Sequence, residues 1–177
     1  LSSSSAASDV YKRQVFACLI FFHAGFSKFR HAADYIDIMA AYLGRPVKGW
    51  TVTAVGTSEM VLALLLLVPA TASIAAMCCS FLLIMYAGFM WRQIRAGRKD
   101  LRCGCSGPAA ETRIAPELVL RNLLVAVPLL GVASLSPSFN SWVVVSLGTA
   151  LGLFLVLIYL STDQIIVNRQ RLVGWSQ

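Results

Sequence analysis

Ala72-Ser-Ile-Ala-Ala-Met-Cys-Cys-Ser-Phe-Leu-Leu-Ile-Met-Tyr-Ala-Gly-Phe-Met-Trp91 runs for 20 residues without one charged side chain. As a helix rising 1.5 Å per residue it is about 30 Å long, the thickness of a bilayer's hydrocarbon core. Hydrocarbon offers no partner for backbone N–H and C=O groups, so a spanning segment must satisfy them itself. An uninterrupted apolar run of this length does so as a helix, not as a barrel strand.

The rest of the chain agrees. Of 177 residues, 58% are hydrophobic and only 13% charged, with mean hydropathy +0.72. Soluble domains carry roughly a quarter charged residues. The expected fold is an all-α polytopic membrane helical bundle with about five transmembrane helices, over 15–29, 51–68, 72–91, 115–135 and 141–160. Ala32–Leu43 is expected to be a short amphipathic helix at the interface. Its Ile36, Met39, Ala40 and Leu43 share one face at helical spacing, and Gly44 and Pro46 stop it.

Residues 1–14 are Ser-rich and unlike the apolar runs of the rest of the chain, so they are expected to be a foreign or disordered stretch. The first apolar run, 15–26, is then short for a span unless it continues past Phe29. One transmembrane domain is expected over 15–161, with a polar tail over 162–177.

The net charge of +7 sits between the apolar runs. No basic stripe with interleaved aromatics accompanies it, so no nucleic-acid partner is expected. Five spans put Lys28, Arg30, Arg45, Lys48, the loop basics Arg92, Arg95, Arg98, Lys99, Arg102 and Arg113, and the tail's Arg169 and Arg171 on one side. Only Lys12 and Arg13 fall on the other. The positive-inside rule makes the first side cytoplasmic.

On that side lies Arg102-Cys-Gly-Cys-Ser-Gly-Pro108. Of the five cysteines, Cys18, Cys78 and Cys79 lie in apolar runs, where a small buried hydrophobe is the simpler role, although a second redox relay is conceivable there. Cys103 and Cys105 sit in a polar, glycine-rich loop. The intervening Gly104 permits a tight turn, and a disulfide ring this small is strained and easily reduced. Arg98, Lys99 and Arg102 favour the reactive thiolate. Two unpaired loop thiols are the plainer alternative. A zinc site is not expected, because it needs four ligands and the chain has two histidines. No cofactor is expected.

Glu59, about nine residues into its span, needs a partner, because a carboxylate is costly at that depth. At 1.5 Å per residue it sits roughly 12–13 Å down from the cysteine side, and Arg121 roughly 10 Å. Lys28 ends the first span there. Lys28, Glu59 and Arg121, with Asn122 and His23, are therefore expected to form a polar cluster beneath the cysteine loop. It is either a structural ion pair or a support for the thiols.

Ala-Gly-Phe-Ser-Lys28 in span 1, Glu59 in span 2, Cys103-Gly-Cys-Ser-Gly107 and Arg121-Asn122 together resemble the methylamine-utilisation protein MauE family, within the wider DoxX-like membrane proteins. At Ser106 the family pattern implies an aromatic. The resemblance implies a four-helix core of DoxX-like type in a bacterial inner membrane. It also implies a part in maturing a periplasmic, disulfide-containing client, methylamine dehydrogenase, beside a thioredoxin-like membrane-anchored partner. Cys103 and Cys105 would then exchange disulfides with that partner. The alternative is a non-enzymatic assembly factor or small-solute carrier in which the charged cluster matters and the thiols do not.

Overall fold

The computed structural model describes residues 3–98, 101–103, 113–133 and 142–174. Six helices carry almost all of them: α1 (Ser3–Arg30), α2 (Ala32–Leu43), α3 (Gly49–Leu65), α4 (Ala72–Arg95), α5 (Pro116–Ala133) and α6 (Trp142–Gly174). The chain is an all-α membrane helical bundle. Its outer surface is apolar: Phe81, Leu124, Val127 and Leu157 are each more than 60% exposed. A belt of that kind is stable in lipid and not in water. Ala72–Arg95 and Val145–Gln170 are each long and apolar enough to cross a membrane, with mean hydropathies of 1.9 and 2.0.

Small residues let the helices meet. Gly25 of α1 and Gly56 of α3 pack backbone to backbone, and a Cβ on Gly25 would lie 2.6 Å from the Gly56 carbonyl oxygen. Gly148 and Gly152 of α6 likewise leave room for Tyr11 and Val15 of α1. Lipid tails are as apolar as leucine, so such close van der Waals packing, rather than burial from water, holds membrane helices together. α4 lies along α5, where buried Ser80 donates from Oγ to the Ala126 carbonyl at 3.0 Å. The pairing is reinforced by Ala72, Ala75, Ala76 and Cys79, all buried on one face of α4.

The core has two parts. One fills the half of the bundle away from the cysteine loop, around Ala17, Phe21, Leu66, Cys79 and Leu129. The other joins Ala87, Met90, Cys103, Ile114, Leu118 and Val119.

α2 runs as expected over Ala32–Leu43, ending on Gly44 at φ 66°, whose N–H donates to the Ala40 carbonyl at 2.9 Å. Asp34 and Asp37 are exposed and Tyr35 is buried. Its inward face is Tyr35, Ile38, Met39 and Tyr42, one position removed from the expected Ile36–Leu43 stripe, because buried Tyr35 anchors it. Gln93 near the end of α4 donates from Nε2 to the Tyr42 carbonyl at 2.8 Å, holding α2 over the bundle.

Two helices outrun the sequence expectation by more than ten residues. α1 begins at Ser3, not Val15, and Val10 and Gln14 are buried within the bundle. α6 does not stop at Leu160 but continues to Gly174. Its 33 residues span about 50 Å, well beyond a hydrocarbon core. The extra turns are tied down: Gln170 accepts at Oε1 from the Arg113 N–H and donates from Nε2 to the Arg113 carbonyl, both at 3.0 Å.

Candidate functional site

α1 delivers Lys28 to the bundle interior in its last turn. The Gly25–Gly56 contact brings α3 close enough for Glu59 to meet it. Lys28 Nζ donates to Glu59 Oε2 at 2.7 Å and to Oε1 at 2.9 Å. Both residues are buried, Glu59 to 1% exposure. Tyr86 of α4 donates from Oη to Glu59 Oε1 at 2.7 Å. The Lys28 ammonium also stands over two aromatic faces, 5.2 Å from the Tyr35 ring centre and 5.8 Å from that of Tyr86. Tyr35 in turn donates from Oη to Ser27 Oγ at 3.2 Å. So a full charge pair in the low-dielectric interior is matched by hydrogen bonds and ring quadrupoles.

A buried pair is weak support for stability, since an apolar pair of the same shape often does as well. Its presence asks what else it serves. Lys28, Glu59 and Tyr86 line a cavity of about 340 Å³. α2 closes it on one side with Tyr35, Met39 and Tyr42, while α5 contributes Asn122 and α6 Tyr159. Cys103 lines the same cavity. Its Sγ lies 3.7 Å from Met90 Sδ, and the residue is 9% exposed. The cysteine loop is pinned where it leaves and rejoins the bundle: Arg102 bridges Arg113, and the Ile114 N–H donates to the Leu101 carbonyl at 2.9 Å. Cys105, the second thiol of the motif, lies outside the described residues.

Arg121 and Asn122 point to different tasks. The Arg121 guanidinium lies 4.3 Å from the centre of the Tyr159 ring, so it supports the cavity wall from behind. Asn122 is 2% exposed, and its Nδ2 has no hydrogen-bond partner among the described residues. His23 is exposed on α1 and does not line the cavity. Five residues separate it from Lys28, which turns it about 140° around the helix. Depth along the helix groups His23 with Lys28, but depth carries no direction around it. Cys78 is exposed on α4, while Cys18 and Cys79 are buried in the other half of the core.

Tyr35, Tyr86, Met90 and Tyr159 were not legible as site residues. In an apolar run a tyrosine resembles any core aromatic. The available signal was its hydroxyl, which needs a partner once buried.

A family model described as methylamine utilisation protein MauE matches residues 10–135. The chain belongs to the MauE family. A curated relative, the methylamine utilization protein MauE of Paracoccus denitrificans, is 28% identical over 154 residues, covering 85% of this chain and 83% of the relative. No solved structure matches. The MauE match takes in Lys28, Glu59, Tyr86, Cys103, Arg121 and Asn122, and leaves out α6 with Tyr159.

Proposed function

We propose that this member of the MauE family serves methylamine utilisation as a membrane thiol–disulfide component. Cys103 and Cys105 exchange disulfides with a thioredoxin-like, membrane-anchored partner and so support disulfide formation in a periplasmic amine dehydrogenase-like client. The observation that carries this reading is that Cys103 opens into the same cavity as the buried Lys28–Glu59 pair. A thiol acts as its thiolate, so oxidation and exchange move protons. A carboxylate–ammonium pair with a tyrosine hydroxyl, placed in the same cavity, is equipped to accept and return them. The family's description supports the pathway, and the resemblance stated from the sequence supplies the partner and client.

By charge the cysteine loop and the C-terminus face the cytoplasm of a bacterial inner membrane. A client in the periplasm then requires electrons to cross the bundle. A membrane-impermeant maleimide that labels the loop in intact cells reverses that orientation.

The burial of Cys103 favours one second reading, a non-enzymatic assembly factor or small-solute carrier that uses the cavity and its charged wall. The double variant Cys103→Ser, Cys105→Ser separates the two. Loss of client maturation at normal protein level supports thiol exchange; normal maturation supports the second reading.

A further inference from the structure

Each time the thiol pair of the proposed function closes, two electrons and two protons must go somewhere. We propose that the cavity binds a membrane-dissolved quinone, which takes them; this deepens the thiol reading and rests on it. Cys103–SH and Cys105–SH lose their hydrogens and an S–S bond forms. The two electrons and two protons pass to the two quinone oxygens, giving the quinol.

The cavity has the size and lining for such a molecule. About 340 Å³ accommodates a substituted ring and the start of its tail, within the usual range of small-molecule sites. Phe21, Tyr35, Tyr42, Tyr86, Phe89 and Tyr159 line it with aromatic side chains, suited to a flat apolar molecule. Asn122 supplies the independent pointer. It lines the cavity almost fully buried, with an amide N–H that no described residue accepts. A buried donor left without an acceptor is costly. A quinone carbonyl is an acceptor that fits it, and a lipid acyl chain is not. Cys103, the electron donor, stands in the wall of the space the ring would occupy.

The test uses the full chain in nanodiscs, reduced, freed of reductant and kept anaerobic, with decylubiquinone as the probe. One quinol is expected for each pair of thiols lost from the tryptic peptide 103–113. Asn122→Leu is expected to raise the quinone concentration at half-maximal rate at least tenfold, changing the maximal rate far less. Should that variant fail to fold, a photoactivated azido-quinone with the unaltered protein decides instead. Label on the Tyr86–Met90 segment or on Asn122 supports the site. Label confined to the lipid-facing side chains, or none, overturns it. If quinone leaves the thiols untouched while diamide still closes the pair, the quinone proposal fails and the thiol reading stands. A pair that neither oxidant closes overturns both.

Discussion

Lys28 of α1 donates to both carboxylate oxygens of Glu59 on α3, at 2.9 and 2.7 Å, inside a bundle whose exterior faces lipid. Removing one partner leaves the other charge buried alone, at a cost of about 3–5 kcal/mol. Lys28→Met and Glu59→Leu are each expected to lower the midpoint of unfolding in detergent sharply. The double variant removes both charges and is expected to recover most of that stability. If the pair serves only to hold the bundle, the double variant will also mature its client. Recovery of the fold without recovery of maturation is the outcome expected here.

The pair depends on the approach of α1 to α3. Gly25→Ala puts a methyl 2.6 Å from the Gly56 carbonyl and 2.7 Å from Met60 Cγ, so the helices must part. A loss of about 1–3 kcal/mol is expected in the same unfolding measurement. Gly88→Ala is the control. That glycine is exposed on α4, with nothing near its added Cβ, and its variant is expected to be neutral or slightly more stable.

His23→Ala is expected to leave both stability and client maturation unchanged, within about 0.5 kcal/mol for the former. The imidazole faces away from the cavity. A maturation defect would show that α1 presents a second functional face.

The end of α6 bears on the cysteine loop. Gln170 pairs with both backbone groups of Arg113, and Ile166 packs on the cluster that holds Cys103. Gln170→Ala removes two hydrogen bonds, each worth roughly 0.5–1.5 kcal/mol net. Cys103 should then react severalfold faster with a small maleimide in detergent. An unchanged rate would mean the loop is held without α6.

These contacts mark where the sequence was legible. Apolar runs placed the start of α4 and both ends of α5 within two residues, because spanning length and hydropathy are fixed by the bilayer, while α4 runs four residues past Trp91 to Arg95. Depth counting paired Lys28 with Glu59, since both had to be solvated at one level. The end of α6 was hidden by its polarity. A helix beyond the membrane needs no apolar run, and Ile166 and Gln170 find their partners only once the segment around Arg113 and Ile114 is folded. α1 was hidden in the same way, with Val10 and Gln14 buried inside a stretch that reads as polar. Arg121 shows the limit of depth counting most clearly. Its level was legible, but its seat over the Tyr159 ring depends on how α5 is turned.

The tryptic peptide 103–113 contains both loop cysteines, and its alkylation mass shift in cells making the client reads their redox state directly. Thiol exchange predicts a mixture of disulfide and dithiol, and quinone as its oxidant predicts a shift toward dithiol when respiration is blocked. A peptide that stays fully reduced under every condition, with client maturation intact, would contradict it.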